Sequence, residues 1–376
     1  MMRRGRAGTI AVALGAVTAG AAAAWAAREI PAAMGGDPTR GARGERMRNS
    51  PRYRDGVFHN PPSPPRPDVS GGGRTILREL LLGKQLRHPS RPIPVVSGVV
   101  GDVAADPGLA VTWFGHSTAL LEIEGQRLLL DPVWSERCSP SQTVGPRRMH
   151  QPPLAIEELP AIDAVVISHD HYDHLDMHSV RLLARTQPHT RFVVPLGVGA
   201  HLERWGVDLA RVDELDWDEQ VKIGGLRLVC TSAHHFSGRG FANNGTLWSS
   251  WAVIGAEHRV FYSGDSGYFD GFAATGEAYG PFDLSLVQIG AYSEHWQDIH
   301  MTPEEGVSTH LDVRGGLLVP VHWCTFVLGM HDWSEPVERL CTDADARGVQ
   351  IAVPRPGERI EVAHPPKLDH WWRAVV

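Results

Sequence analysis

Hydrophobic and polar positions change rhythm along this chain. From residue 111 onward, short runs rich in β-branched, aromatic and leucine residues recur. They read "VTWF" from Val111, "TALLEI" from Thr118, "RLLLD" from Arg127, "DAVVIS" from Asp163 and "RFVV" from Arg191. They continue with "LRLVC" from Leu226, "WSSWAVI" from Trp248, "RVFYSG" from Arg259, "LSLVQI" from Leu284 and "LLVPV" from Leu317. Such runs, bounded by turn residues, predict strands. Helical patterns fall between some of them, in "DMHSVRLLARTQ" from Asp176 and "VGAHLERWG" from Val198. A third, "TPEEGVSTHLD", opens with Thr302 as N-cap, Pro303 at the first helical position and Glu305 completing a capping box. Strands in bunches with helices interspersed predict an α/β (α+β) chain of two sheets covered by helices. No short-period repeat is visible.

Before residue 111 the pattern weakens. Residues 28 to 75 carry little regular periodicity, and "NPPSPPRPDVSGGG" from Asn60 cannot form a helix or an inner strand. An arm or linker is expected there. "ILRELLLG" from Ile76 is compatible with a short amphipathic helix lying on the domain or on lipid. The first residues differ again. "MMRRGR" is cationic, and "AGTIAVALGAVTAGAAAAWAA" after it is uncharged. This predicts a secretory leader with Ala24-Trp25-Ala26 as the cleavage site. An uncleaved membrane anchor is the rival, because the stretch approaches the ~20 residues that span a bilayer.

Composition narrows the function. The chain has 376 residues, 42% hydrophobic and 21% charged, as expected of a globular protein. Its formal net charge of -7, with no basic stripe, argues against nucleic acid as a partner. The Arg147-Arg148 pair is either a solvated loop or a contact for an anionic group. Four cysteines, Cys138, Cys230, Cys324 and Cys341, form no C-x-x-C pair, which argues against a zinc finger. A disulfide between two of them and buried free thiols are both open.

The chemistry is concentrated in "ISHDHYDHLD" from Ile167. His169 to His174 hold three histidines and two aspartates in six positions. Directly after a strand, His169 and His171 point to one side, and Asp173 and His174 follow in the turn into the next helix. Asp170 and Tyr172 are free to point elsewhere. Imidazole and carboxylate ligate borderline metals, and one loop rarely completes a site. Further ligands are expected at downstream strand ends. The candidates are His234-His235 after "LRLVC", Asp265 after "RVFYSG" and His322 after "LLVPV". Neighbours in an extended segment face opposite sides, so only one of His234 and His235 can join.

This set resembles the metallo-β-lactamase superfamily, whose HxHxDH mark is matched by His169, His171, Asp173 and His174. A narrower resemblance extends over roughly residues 55 to 360. "GHST" from Gly115, "DPVWSERCSPSQTVGPRR" from Asp131, "FYSGDSGY" from Phe261, "GPFDLSLVQIGAY" from Gly280 and "VHWCTF" from Val321 look like the N-acylphosphatidylethanolamine-hydrolysing phospholipase D family. The resemblance implies a four-layer αβ/βα sandwich of two mixed sheets flanked by helices, with two zinc ions at one edge. It implies His169, His171 and His235 as ligands of one ion, and Asp173, His174 and His322 as ligands of the other. Asp265 would bridge both, and Asp131 would orient a ligand from behind. His235 is preferred over His234 because an aromatic residue, Phe236, follows it. His300, in "DIHMTPEE", resembles a loop histidine beside the metals, although Ile299 stands where the animal enzymes carry a polar residue. The arm also lacks the family's tryptophans. Asp173, Asp265 and His300 are the residues expected to take part in the reaction.

The implied organisation is a leader or anchor over residues 1–27, an arm and linker over 28–108 and a hydrolase domain over 109–365. The implied reaction cleaves N-acylphosphatidylethanolamine-like lipids to N-acylethanolamine and phosphatidic acid. Two metals ~3.5–4 Å apart clamp the attacking and leaving oxygens of such a displacement. The nearest rival is a lactone hydrolase, and a second rival is a non-catalytic metal-binding envelope protein. Expected partners are a phospholipid or other small-molecule substrate and a membrane surface, with a homodimer left open. The expected location is the cell envelope or the space beyond it.

Overall fold

Most of the strands alternate between two cores rather than between a core and water. In Gln126–Leu130, Leu128 and Leu130 join one apolar cluster and Leu129 another. In Arg259–Tyr262, Val260 and Tyr262 face the first cluster while Phe261 faces a third. Continuous apolar runs are what strands buried on both faces require. The computed structural model describes residues 29–62, 83–97, 108–240 and 242–376. The expected leader (1–27), residues 76–82 of the expected short helix and the proline-rich stretch beyond residue 62 lie outside the described residues.

Two seven-stranded sheets result. In sequence order the strands of the first are β3 (Leu109–Gly115), β4 (Thr118–Ile123), β5 (Gln126–Leu130), β6 (Ala164–Val166), β7 (Arg191–Pro195) and β8 (Val212–Leu215), with β16 (Arg359–Glu361) at the edge beside β3. The second runs β9 (Gln220–Ile223), β10 (Leu226–Thr231), β11 (Ser250–Ile254), β12 (Arg259–Tyr262), β13 (Phe282–Gln288), β14 (Gly315–Val321) and β15 (Gln350–Ile351). Both are mixed: β5 to β8 pair in parallel in the first, and β12 to β15 in the second. The largest apolar cluster fills the space between the sheets and includes Trp113, Trp251, Leu121, Leu228 and Leu286. A second cluster joins the first sheet to helix Met177–Thr186, through Val180, Leu183, Leu129 and Phe192. A third joins the second sheet to helix Gly271–Tyr279. The layers are therefore helix, sheet, sheet, helix, as expected from the strand pattern and the resemblance. Each fully buried large apolar side chain contributes roughly 1.5–3 kcal/mol.

Two of the helices begin on explicit capping chemistry. Asp176 accepts from the backbone N–H groups of His178 and Ser179 to start its helix. Thr302 and Glu305 exchange side-chain and backbone bonds at the start of Pro303–Asp312, with Pro303 at the first position. The arm is more regular than its sequence suggests. Residues 29–33 are helical. Helix Gly41–Asn49 and a hairpin of β1 (Tyr53–Arg54) and β2 (Val57–Phe58) follow. Met47, Phe58 and Ile93 are part of the central cluster, so these residues pack with the sheets rather than apart from them. Cys138, Cys230, Cys324 and Cys341 are all buried free thiols. Among the described residues no helix is long and apolar enough to cross a membrane.

Two buried histidines away from the loop of ligand-type residues make the fold acid-sensitive. Burial pushes His310, 2.7 Å from the Ser285 hydroxyl, down to about 4. Burial, then the Arg148 charge, pushes His150 down to about 4. The unfolded chain binds these protons from the ordinary value of 6.5 downward, and the folded chain does not. Stability therefore falls as pH drops from 6.5 towards 4, by a few kcal/mol in order of magnitude, and levels off below. Urea unfolding of metal-stripped protein at pH 7.5, 5.5 and 4.5 measures this. His310→Gln should flatten the slope, and an unchanged slope would exclude His310 as a source.

Candidate metal centre

The loop after β6 is built around Asp131. This residue directly follows β5, is fully buried and holds a φ of 37°, unusual for a residue other than glycine. Its carboxylate accepts from the Ser168 N–H at 2.7 Å and from the Ser168 and Tyr262 hydroxyls. It also accepts from His174 Nδ1 at 2.7 Å. That last bond places the His174 proton on Nδ1 and leaves Nε2 to face the centre. His235 is oriented the same way, with Nδ1 donating to the Ile299 carbonyl at 2.8 Å. Asn60 of the arm fixes the His235 backbone from both sides. Its side chain accepts from His235 N at 2.9 Å and donates to His235 O at 2.7 Å.

The expected residues converge in two groups. In one, His169 Nε2 lies 2.8 Å from His171 Nδ1, and His235 Nε2 lies 3.3 Å from the same nitrogen. In the other, Asp173 Oδ2 lies 3.2 Å from His322 Nε2 and 3.4 Å from His174 Nε2. Asp265 Oδ2 stands between them, 2.9 Å from His322, 3.1 Å from His174, 3.9 Å from His169 and 4.0 Å from His235. His300 Nδ1 is also 4.0 Å from it. His234 turns away and meets the Asp298 carbonyl at 2.8 Å. Of the two neighbours, His235 is the one whose ring faces the group. Metal content of the alanine variants is expected to follow: His235→Ala loses metal and His234→Ala does not. The reverse result would reassign the ligand.

Charge divides the same way. Burial, then the neighbouring imidazoles, holds His169 and His235 well below the usual histidine range. Burial also opposes charge on His322, but the Asp265 and Asp173 carboxylates outweigh it and raise His322 to about 9. His174 is raised by Asp265, Asp173 and Asp131 against the same burial. One group is thus three neutral imidazoles. The other is two carboxylates holding protons on two imidazoles.

This donor set fits metal ions. Donors ~2.0–2.2 Å from one tetrahedral ion lie roughly 3.3 Å apart, near the separations found. His174 Nε2, His300 Nδ1, His322 Nδ1 and Asp265 Oδ1 are buried without a well-formed hydrogen bond, which a purely hydrogen-bonded cluster would not leave. A cation can also displace the protons that the carboxylates hold on His174 and His322.

Residues the sequence reading passed over hold the loop in place. Asp170, between the first two histidines, accepts from Gly238 N at 2.7 Å and from the Thr246 hydroxyl at 2.9 Å, and lies 3.2 Å from His201 Nε2. Buried Arg239 donates from Nη1 to the Asp170 and Leu175 carbonyls, at 2.6 and 2.8 Å, and from Nε to the Ala33 carbonyl at 2.9 Å. Its guanidinium lies over Tyr172, 4.0 Å from the ring centre, while the Tyr172 hydroxyl donates to the Arg239 carbonyl. Of the Arg147-Arg148 pair, Arg147 pairs with Glu136 in solvent. Arg148 is buried and donates to the Trp134 carbonyl at 3.2 Å.

Over the centre opens a cavity of about 300 Å³. Its walls include Phe236, Trp296, Ile299 and Leu328, with His171, Asp173 and Asp265 at the base. A second cavity of about 500 Å³ is lined by Tyr292, Gln297, Glu335 and Arg339 and shares His300 with the first.

Two mixed sheets with a His/Asp cluster at the strand ends define a metal-dependent hydrolase of the metallo-β-lactamase superfamily, to which this chain belongs. The β-lactamase superfamily domain matches residues 126–323. Within the superfamily the chain falls in the N-acylphosphatidylethanolamine-hydrolysing phospholipase D family. An N-acyl-phosphatidylethanolamine-hydrolyzing phospholipase D of Caenorhabditis elegans is 36% identical over 314 residues, covering 77% of this chain and 87% of that one. An uncharacterised protein of Mycobacterium tuberculosis is 50% identical over 363 residues, 94% of this chain and 96% of its own. The solved structure of a metallo hydrolase from the archaeon Ignicoccus hospitalis shares the fold. Its TM-score is 0.52 at 22% identity, covering 67% of this chain and 97% of that one.

Proposed function

We propose that the chain hydrolyses the phosphodiester of N-acylphosphatidylethanolamine-like lipids with two zinc ions, releasing N-acylethanolamine and phosphatidic acid. The observation that carries this reading is the apolar-walled cavity directly over the two donor groups. It offers one place for a lipid chain and, at its base, one for a charged phosphoryl group. His169, His171 and His235 would hold one ion, Asp173, His174 and His322 the other, and Asp265 would touch both. When bound, such a pair supplies Lewis acidity at the phosphoryl oxygens and makes water easier to deprotonate.

The chain's own residues do the rest. Phe236, Trp296 and Leu328 exclude water from the base and fix the acyl part of the substrate. Asp173 and Asp265 orient the attacking water through its protons. His300, which lines both cavities, donates an N–H to the departing ethanolamide oxygen. Burial pushes His300 down to about 3, so it acts as a neutral ring rather than as the imidazolium a free histidine offers near pH 6.5. Water oxygen bonds to phosphorus and the bond to the ethanolamide oxygen breaks; one proton of the attacking water ends on that oxygen, and neutral His300 contributes a hydrogen bond rather than the proton.

Hydrolysis of an N-acylphosphatidylethanolamine in ¹⁸O-water tests this. Label in phosphatidic acid, with none in the N-acylethanolamine, is expected. Label in a free fatty acid would make the protein an acyl hydrolase. No lipid turnover beside rapid lactone opening would establish the lactone reading. The proposal includes export to the cell envelope, carried by the cationic and apolar N-terminal sequence. Mass spectrometry of native protein should find a start near Ala27 or an intact membrane-bound chain.

A further inference from the structure

His116 was not among the expected site residues, yet it reaches the centre. It sits in the turn between β3 and β4, only 2% exposed, with a φ of 51°. That left-handed backbone is rare outside glycine and persists only where its surroundings impose it. Here three bonds do so. Its N–H donates to the Thr325 hydroxyl at 2.6 Å, and its carbonyl accepts from the Trp113 indole at 2.7 Å and from His322 N at 2.9 Å. Gly115 beside it, at φ 107°, leaves no room for a side chain: a Cβ would lie 2.6 Å from the His150 ring.

The backbone so fixed aims the imidazole at one oxygen. His116 Nε2 lies 2.8 Å from Asp173 Oδ2, the same oxygen that His322 and His174 approach. Facing a carboxylate, Nε2 is the protonated nitrogen and donates. Asp265 Oδ2 is approached within 4.0 Å by His169, His174, His235, His300 and His322, and His116 is not among them. The His116 nitrogen lies within 4.8 Å of the ligand atoms of Asp173, His174 and His322, and the hydrogen bond it forms there is the one to Asp173.

We infer that His116 is a positioning residue whose Nε2–H holds Asp173 in the orientation that ligates the ion of the Asp173, His174 and His322 group. The inference rests on the two-ion reading above. Because His116 also carries the backbone contact to His322, it ties the two protein strands that bring this group together.

The test is binding, not turnover. Zn²⁺ affinities are measured by competition with a chromophoric chelator, and Co²⁺ uptake by visible absorption, on wild type, His116→Phe and His116→Gln. Phenylalanine keeps the ring and loses the donor. Glutamine places an N–H at the same number of bonds from Cα as imidazole Nε2. The expected result is that His116→Phe retains one ion at wild-type affinity and binds the other about 10–100-fold more weakly. His116→Gln should restore most of that loss. The retained ion shows that the variant is folded. Two ions bound by His116→Phe as tightly as by wild type would overturn the inference. So would a His116→Gln as weak as His116→Phe, since the imidazole would then be a ligand itself. Wild type taking up fewer than two ions would overturn both this inference and the ligand assignment beneath it.

Discussion

Asp265→Ala should abolish hydrolysis, with kcat falling by about 10²–10³-fold or more, the size expected when a pre-organised charged group is removed from a reacting centre. No other carboxylate oxygen here stands within 4.0 Å of as many imidazoles. Its loss should lower the uptake of both ions, whereas loss of His169 or His322 should first affect one. Unfolding is not the expected route. Without Asp265, the protons on His174 and His322 lose a main support, and the rings become neutral instead of remaining as buried unpaired charges. Metal analysis alongside turnover and circular dichroism decides the matter. A folded Asp265→Ala with two ions and substantial activity would remove Asp265 from the centre.

The second large effect is expected at Arg239→Met. The substitution keeps apolar bulk but leaves the carbonyls of Ala33, Asp170 and Leu175 without their donor. Each buried carbonyl left unsatisfied costs about 1–3 kcal/mol, so a loss of about 3 kcal/mol or more is expected. Arg239→Lys should rescue little, because a single ammonium cannot reproduce a flat fork that donates in three directions while covering the Tyr172 ring. Urea unfolding measures the loss, and an unchanged midpoint would show that water replaces the guanidinium. Metal affinity should also fall, because two of the three carbonyls belong to the segment between His169 and the following helix.

What could be read in advance and what could not follows from distance along the chain. The loop from His169 to His174 was legible because its donors are consecutive and follow an apolar strand. Asp265 and His322 were legible because each follows a strand of its own. The inner strands stood out as apolar runs. The edge strands β8 and β9, "VDEL" and "QVKI", did not, because an edge alternates with charge to avoid pairing with other chains. The hairpin of the arm was missed because its strands are two residues each, although Asp55-Gly56, both at positive φ, is a recognisable turn signal. Asn60, His116, Asp170 and Arg239 act across gaps of 175, 57, 31 and 69 residues. No local pattern announces such partners. His116 lay inside a stretch already quoted for its resemblance, and only the bend of its backbone and its distance to Asp173 separate it from an ordinary buried histidine.

The proposed donors come from both sheets. His169, His171, Asp173 and His174 follow β6 of one, while His235, Asp265 and His322 follow β10, β12 and β14 of the other. In the proposed assignment, neither sheet carries the full set of donors for either ion. On that assignment metal is not expected to seed folding, because no complete set of donors exists until the sheets have docked. Its energy enters after the rate-limiting barrier and acts almost wholly on escape from the native state. Loading should leave the refolding rate nearly unchanged and slow unfolding in proportion to the binding strength. The ions would thus set how long the molecule lasts once made, and the amino acids alone how quickly it is made.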